Sequence, residues 1–231
     1  MRTYLLKLSG EALGGSEGTG FDGAVLGRVA DEIASARDPE LRLGVVVGAG
    51  NFLRGAELTA VGIPRQRGDF MGMIATVLNG MALEAALEAR GVRATLLSGV
   101  PIGNIVAGFS ETALRQAGRD VLLFVGGTGN PFFTTDTAAA LRAAQIGASV
   151  LLKATKVDGV YSADPLRDVH AERFSRLTYA EVLRRRLKVM DLTAITLCME
   201  QRIPIRVFDV HAPGNLAAAL RGEDVGTLVA E

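Results

Sequence analysis

Residues 126–137 combine, in one short segment, the residue types that bind a phosphorylated ligand. Three glycines let the backbone approach a ligand closely, and Asn130-Pro131 favours a sharp turn. Hydroxyl side chains and the carboxylate of Asp136 follow at the start of a predicted helix, where backbone N–H groups attract anions. Two adjacent phenylalanines, Phe132 and Phe133, add aromatic surface to this polar loop. The segment therefore favours a planar, phosphorylated ligand; the alternative is a well-capped helix after a tight loop.

The basic residues are also informative, because lysine is rare in this chain. Of 25 basic residues only four are lysine, and three of these lie in candidate loops. A lysine ammonium is compact and suits a moving phosphoryl group, whereas the arginine guanidinium is a planar fork. Arg54 follows the glycines of Gly48-Ala49-Gly50 and could grip phosphate oxygens. A surface arginine at this position is the alternative.

Strand-like and helix-like runs alternate along the chain and predict an α/β fold, a three-layer αβα sandwich with a central, mostly parallel sheet. The longest predicted helix covers residues 70–90, with Asp69 as its N-cap, a ligand contact, or both. Apolar residues on two of its sides indicate burial against the sheet and against a neighbouring subunit. The predicted strands are residues 3–8, 43–47, 93–97, 121–125, 149–153 and 204–208, and the other principal predicted helices are residues 22–36, 111–116, 138–144, 191–198 and 215–220.

The loops after the first, second, fourth and fifth strands should meet at one edge of the sheet, where parallel α/β sheets bind ligands. These loops carry the glycines together with Lys7, Arg54, Asp136 and Lys153. Two phosphorylated molecules that meet there would find close backbone, cations and a carboxylate to orient them. Phosphoryl transfer needs chiefly positioning and charge neutralisation. The pattern thus predicts a phosphotransferase.

The composition argues against several other classes of protein. The formal net charge is zero, which gives no reason to expect nucleic acid as a partner. No run of about 18 apolar residues predicts a membrane span, and the start lacks the apolar core of a signal peptide. Cys198 is the only cysteine, which fits a cytoplasmic protein. Neither a Walker A loop nor Cys/His metal-ligand spacing occurs, so no protein metal site is predicted.

Motifs along nearly the whole chain resemble the bacterial uridylate (UMP) kinases of the amino acid kinase superfamily. They occur in the family's order and continue through Leu187-Lys188-Val189-Met190-Asp191-Leu192 to Gly226-Thr227-Leu228. The earlier motifs are Lys7-Leu8-Ser9-Gly10-Glu11-Ala12-Leu13, Gly48-x-Gly50-Asn51-x-x-Arg54-Gly55, Asp69-x-Met71-Gly72-Met73, Thr128-Gly129-Asn130-Pro131-Phe132-Phe133-Thr134-Thr135-Asp136 and Lys153-Ala154-Thr155-Lys156-Val157-Asp158-Gly159-Val160-Tyr161.

The resemblance implies transfer of the γ-phosphoryl group of ATP to UMP, with Mg²⁺, in pyrimidine nucleotide biosynthesis. It implies one domain over residues 1–231, with an acceptor part at roughly 1–145 and an ATP part at roughly 146–231. Lys7, Arg54, Asp136 and Lys153 would be catalytic. The ATP phosphates would be held by Lys7, Leu8, Ser9, Gly10, Gly50 and Arg54, and the adenosine side by Thr155, Tyr161 and Asp164. UMP would be held by Ala49, Asp69, Thr128, Gly129, Asn130, Pro131, Phe132, Phe133, Thr134 and Thr135.

The same resemblance implies a homohexamer built from dimers, with GTP as a possible activator and UTP as a possible inhibitor. The glycine-rich segment 15–20 matches a part of the family that takes part in GTP activation, and Ala49 stands where the family usually has glycine. Two other functions stay open. One is a carboxylate or carbamate kinase of the same superfamily. The other is a nucleotide-binding or storage protein without catalytic activity.

Overall fold

The fold is built around an eight-stranded sheet, as seen in a computed structural model that describes residues 2–15, 18–55, 57–163, 165, 168 and 170–231. The sheet order is β3-β4-β2-β1-β5-β9-β10-β8, and only the β9–β10 pair is antiparallel. A separate antiparallel pair joins β6 and β7. The strands are β1 (Arg2–Leu8), β2 (Leu41–Val47), β3 (Ala94–Ser98), β4 (Val121–Val125), β5 (Val150–Thr155), β6 (Val160–Tyr161), β7 (Arg173–Phe174), β8 (Arg176–Thr178), β9 (Ile205–Asp209) and β10 (Thr227–Ala230).

Helices cover both faces of the sheet, which confirms the predicted three-layer αβα arrangement. One core cluster lies under the α1–α2–α7 layer and includes Leu6, Val45 and Leu83. The other lies under the α4–α6 layer and includes Leu5, Phe124 and Ile195. The helices are α1 (Gly23–Ser35), α2 (Arg65–Glu88), α3 (Glu111–Gln116), α4 (Thr135–Ile146), α5 (Tyr179–Arg185), α6 (Leu192–Glu200) and α7 (Asn215–Arg221).

Helix α2 begins earlier than the sequence pattern predicts, so the prediction of Asp69 as its N-cap is wrong. Pro64 occupies the N-cap position, and Asp69 lies inside the helix. Proline suits this boundary because its fixed φ and missing N–H cost nothing at a helix start. The Asp69 carboxylate is therefore free for other partners: it accepts hydrogen bonds from Arg65 Nε and from the backbone N–H of Phe132.

Helix α4 also begins earlier, and this change affects the candidate site. Thr134 is its N-cap, and its hydroxyl accepts hydrogen bonds from the N–H groups of Asp136 and Thr137. Asp136 consequently lies in the first turn of a helix that was predicted to start at residue 138. A carboxylate in a first turn interacts favourably with the helix dipole.

Helix α2 has the length and the mean hydropathy, 1.5, of a membrane span, but 44% of the residues in that apolar window are buried inside the protein. Val77 and Leu83 pack in the core, and Gly80 lets the helix approach Val125 closely. Buried core helices of soluble proteins commonly have the same length and apolar composition. The opposite side of α2 exposes a row of large apolar residues, here called the α2 apolar face: Phe70, Met71, Ile74, Leu78 and Met81.

Candidate functional site

The carboxyl edge of the sheet contains a cavity of about 400 Å³. Its walls come from the loops after β1, β2 and β4 and from the starts of α2, α4 and α6. It collects twelve of the predicted site residues: Lys7, Ser9, Gly10, Ala49, Gly50, Arg54, Asp69, Thr128, Phe133, Thr134, Thr135 and Asp136. The remaining predicted residues near this edge do not line the cavity: Leu8, Gly129, Asn130, Pro131, Phe132 and Lys153.

Asp136 lies between two lysines at the base of this cavity. Lys7 Nζ is 2.9 Å from Asp136 Oδ1, and Lys153 Nζ is 2.8 Å from Asp136 Oδ2. The parallel pairing of β1 with β5 sets Lys7 directly beside Lys153, so the two ammonium groups reach the same carboxylate. Lys153 Nζ also donates a hydrogen bond to the carbonyl oxygen of Val189 at 2.5 Å. Three of the four predicted catalytic residues thus form one cluster.

Burial and charge act in opposite directions on these groups. Burial alone would raise the pKa of the Asp136 carboxyl, but the ammonium groups of Lys7 and Lys153 hold that pKa below its usual value. Burial lowers the pKa of Lys153, while the Asp136 carboxylate partly offsets this and Lys7 adds to it. The cluster therefore keeps a charged carboxylate that fixes two cations side by side. Such a pair of cations can stabilise charge that develops on a phosphoryl group.

The loop before α4 is tied to two carboxylates outside the cluster. Asp191 accepts hydrogen bonds from the hydroxyls of Thr134 at 2.5 Å and Thr137 at 2.8 Å, and it also caps α6. Asp69 accepts the N–H of Phe132 at 2.8 Å. That bond helps to hold Phe132 at φ 71°, a left-handed conformation that is uncommon for a bulky residue. Both contacts hold the part of the loop that leads into α4.

The glycine loop after β2 is held by a buried pair of amides. Asn51 and Asn79 exchange hydrogen bonds of 2.9 and 2.7 Å. Asn51 also donates to the carbonyl of Gly20, and Asn79 donates to the carbonyl of Gly48. Every amide group in this buried pair has a partner, as such a site requires. The pair anchors the loop against α2.

Arg54 lies at the mouth of the cavity, apart from the lysine–aspartate cluster, and its side chain is 57% exposed. Its guanidinium forms an ion pair with Glu11. Glu11 also accepts Lys156 Nζ at 2.7 Å. Neither Glu11 nor Lys156 was predicted as a site residue. Glu11 follows Gly10 and Lys156 follows Thr155 in the sequence, so each is the neighbour of a predicted site residue.

A second cavity of about 350 Å³ lies beside the β5–β6 connection and includes Tyr161, Leu187 and Lys188 in its lining. The Tyr161 hydroxyl donates to Asp158 Oδ1 at 2.7 Å. Thr155, at the end of β5, is not among the lining residues of this cavity. Asp164 lies outside the described residues. Of the three residues predicted for the adenosine side, the structure therefore places only Tyr161 at this cavity.

Among residues missed by sequence reasoning, Asp191 and Arg65 line the first cavity together with Glu11. The sequence placed Asp191 at the start of a helix and within a motif shared with the family, but it assigned Asp191 no role in the site. Its second role depends on α6 packing against α4, which no local pattern predicts. No motif or spacing in the sequence pointed to Arg65 as a site residue.

Comparison with known proteins gives a consistent assignment. The sequence profile of the Amino acid kinase family matches residues 2–209. The chain is 52% identical over 232 residues to "Uridylate kinase" of Pseudomonas aeruginosa, covering 100% of this chain and 95% of that protein. It is 51% identical to "Uridylate kinase" of Photorhabdus laumondii, covering 97% and 94% of the two chains.

Solved structures agree with these relatives. UMP kinase from Ureaplasma parvum superposes with a TM-score of 0.93 at 33% identity, covering 100% of this chain and 99% of that chain. UMP kinase from Bacillus anthracis superposes with a TM-score of 0.94 at 30% identity, covering 99% and 96%. Sequence and fold similarity therefore extend over essentially the full length.

Replacing Asp136 with asparagine is expected to lower the free energy of unfolding at neutral pH by about 3–5 kcal/mol, because two largely buried ammonium groups lose their carboxylate. The folded pKa of Asp136 is below its unfolded value of 3.8. Its stabilisation is thus complete above that value and is lost as the pH falls through the folded pKa.

Urea unfolding of the wild type and Asp136→Asn across a pH series measures this. The difference between the two proteins should be large at pH 7 and shrink under acid conditions. Asp224→Asn is the control, because Asp224 pairs with Arg206 at 2.6 Å while its side chain is 94% exposed. A difference between wild type and Asp136→Asn that stays constant from neutral to acid pH would contradict the assigned charge state.

Proposed function

Because the chain belongs to the amino acid kinase family and, within it, to the uridylate kinases, we propose that it transfers the γ-phosphoryl group of ATP to UMP. The products are UDP and ADP, in the synthesis of pyrimidine nucleotides. The observation that carries the proposal is the full-length identity of about half to uridylate kinases. The cavity at the sheet edge supplies chemistry that suits this reaction.

In the proposed reaction an oxygen of the UMP phosphate attacks the γ-phosphorus of ATP. The bond between that phosphorus and the oxygen it shares with the β-phosphate breaks, and ADP leaves. Lys7 and Lys153 stabilise the charge on the moving phosphoryl group, and Asp136 keeps the two ammonium groups in place. This division fits phosphoryl transfer, in which the protein contributes positioning and electrostatics more than covalent chemistry.

We assign the donor to the part of the site near the ends of β1 and β5. Lys7, Ser9, Gly10, Gly50 and Arg54 line the first cavity and would hold the ATP phosphates. Leu8 would contribute its backbone, because its side chain is fully buried in the core. The adenosine would extend toward Tyr161 and the second cavity, with Thr155 and Asp164 as further proposed contacts. The ATP part at roughly 146–231 would then supply the adenosine contacts, whereas the residues proposed for the ATP phosphates lie within 1–145.

We assign the acceptor to residues 1–145. Asp69 and the start of α4 lie on one wall of the cavity, and Ala49 lies on the glycine loop. Ala49 is only 9% exposed, so it would meet UMP through its backbone. The proposed UMP contacts of the loop before α4 are Thr128, Gly129, Asn130, Pro131, Phe132, Phe133, Thr134 and Thr135.

Mg²⁺ would enter with the nucleotide. Among the described residues no group of three or more His, Cys, Asp and Glu side chains could hold a metal ion. Both oxygens of Asp136 already face lysines. This donor set fits Mg²⁺ in its usual form, bound largely by phosphate oxygens and water with few protein ligands. The ion would neutralise phosphate charge alongside Lys7 and Lys153.

The α2 apolar face supports a subunit interface. Its residues are 36–55% exposed and lie along one side of one helix, and contiguous apolar patches on a protein surface often mark interaction sites. We propose the homohexamer of dimers that the family resemblance implies, with this face between two subunits. Activation by GTP through segment 15–20, inhibition by UTP and a cytoplasmic location belong to the same proposal. Ser16 and Glu17 of that segment lie outside the described residues.

The acceptor is tested by assaying pure protein with ATP and, in separate reactions, UMP, CMP, dUMP or N-acetylglutamate. We expect kcat/KM to be highest for UMP. Phosphorylation of N-acetylglutamate in preference to UMP would instead identify a carboxylate kinase. If calorimetry shows binding of both UMP and ATP while no UDP forms, the protein is a nucleotide-binding protein without this activity.

Lys7→Met should lower kcat by about 10²-fold or more, because it removes a charge-stabilising group and keeps the apolar stem. Arg2→Met is the matched control. It removes a cation from the same strand, and Arg2 pairs with Asp38 at the surface, far along the strand from the cavity. A kcat of Lys7→Met within threefold of wild type would refute the role of Lys7, provided that circular dichroism shows an intact fold.

The double variant Ile74→Asp, Leu78→Asp should reduce the molar mass measured by analytical ultracentrifugation, because buried unpaired carboxylates oppose an apolar interface. Val61→Asp is the control, since Val61 is 73% exposed and lies outside the α2 apolar face. A wild type that is already monomeric, or a double variant that keeps an oligomeric wild-type mass, would refute the α2 apolar face as a subunit interface.

A further inference from the structure

The carboxylate of Glu11 joins two cations that come from opposite sides of the site. Arg54 reaches it from the loop after β2, and Lys156 reaches it from the loop after β5. Glu11 itself lies in the 3-10 turn Gly10–Leu13 that follows β1. Its side chain is only 21% exposed, whereas the side chains of Arg54 and Lys156 are 57% and 54% exposed. The carboxylate is therefore the inner member of this three-residue bridge.

The same carboxylate lies against the backbone of Gly50. A Cβ atom placed on Gly50 would be 3.0 Å from Glu11 Cγ and 3.3 Å from Glu11 Oε1. Glycine at this position lets an oxyanion come close to the main chain. Glu11 Oε1 thus occupies the space beside Gly50 and faces the guanidinium of Arg54. Gly50 and Arg54 are both among the residues that we assign to the donor phosphates.

A carboxylate and a terminal phosphate make the same demands on arginine and lysine, since both present paired anionic oxygens. Among the described residues, the other ion pair of Arg54 is to Glu57 at 3.7 Å, a longer contact, and Glu57 is 73% exposed. Within the part of the chain that the structure describes, Lys156 forms its ion pair with Glu11. Both cations are therefore held chiefly by one group that a phosphate can replace.

We propose that Glu11 is a competing anion for the donor phosphates, and that Lys156 is a further phosphate-binding residue. On binding, the phosphate oxygens of the nucleoside triphosphate displace the Glu11 carboxylate from Arg54 and Lys156. Glu11 positions both cations for the incoming phosphates and at the same time lowers the affinity for them. The inference rests on the proposed function, because it uses the donor site assigned there.

Competition predicts a gain of affinity when the carboxylate is removed. Glu11→Gln keeps the size of the side chain but loses its charge, so ATP no longer has to break the two ion pairs. We expect KM for ATP to fall by about threefold to tenfold, the range available from two partly exposed ion pairs, with KM for UMP unchanged. A purely structural ion pair would predict the opposite, because Arg54 and Lys156 would lose their anchor and KM for ATP would rise.

Initial rates at saturating UMP and varied ATP measure this for the wild type, Glu11→Gln and Glu57→Gln. Glu57→Gln is the matched control, because it removes a carboxylate from the same arginine at a longer distance. It should leave KM for ATP within twofold of wild type. An unchanged or raised KM for ATP in Glu11→Gln overturns the proposal, and so does an equal fall in both variants.

Lys156→Gln provides a second variant that does not alter Glu11. KM for ATP should rise in this variant. Glu11→Gln should lower KM for ATP less in the Lys156→Gln background than in the wild type, because the two residues act on the same phosphates. Fully additive effects would remove Lys156 from the proposal.

Inorganic tripolyphosphate separates this inference from the proposed function. Calorimetric titration measures its binding without a nucleoside and without turnover. Glu11→Gln should bind it more tightly than the wild type by the same factor. If the wild type forms no UDP from ATP and UMP but Glu11→Gln still gains affinity for tripolyphosphate, the competition stands and the assigned reaction fails. If UDP forms and that affinity does not increase, the reaction stands and the competition fails.

Discussion

The structure depends on one buried electrostatic arrangement, a carboxylate between two ammonium groups. Asp136 can remain charged in its buried position because Lys7 and Lys153 lie 2.9 and 2.8 Å from its oxygens. The two lysines can share one carboxylate because the negative charge of Asp136 partly offsets the repulsion between their ammonium groups. The arrangement in turn demands a fixed register between β1 and β5 and a helix that starts immediately before Asp136. The same strand register and helix start that define the fold therefore also position the charged groups of the site.

The surrounding loops are also held in place by polar contacts. Buried amides hold the glycine loop after β2, and Asp191 holds the loop before α4 through two hydroxyl groups. These contacts are made by fully partnered polar groups, which fix a single geometry in a way that apolar packing does not. At the mouth of the cavity the ion pairs of Glu11 are more exposed and weaker. The site is therefore most firmly held at the Lys7–Asp136–Lys153 cluster and most exchangeable at Glu11.

Sequence periodicity predicted the interior of the sheet well because buried parallel strands are continuous apolar runs. The strand Val121–Val125 and the helix Glu111–Gln116 have the predicted bounds. It failed where a boundary depends on a tertiary contact. Asp69 has the chemistry of an N-cap, yet its carboxylate bonds Phe132 across 63 residues while Pro64 begins the helix. The antiparallel strand β10 was also missed, since its four residues form a strand only by pairing with β8 and β9.

The sequence alone determined the alternation of strands and helices, the glycine loops at the strand ends, and the identity of Lys7, Asp136 and Lys153 as charged residues in one region. The alternation and the glycine loops are local features, because backbone preference and residue type decide them, and the grouping of the three charged residues follows from the rule that loops at the carboxyl ends of parallel strands meet at one edge. Only the tertiary structure decided which charges face each other. It placed both lysines on one carboxylate, joined Asp191 to the loop before α4, and set Glu11 between Arg54 and Lys156. Such contacts depend on strand register and on helix packing, and these are set by the burial of the whole core rather than by any short segment.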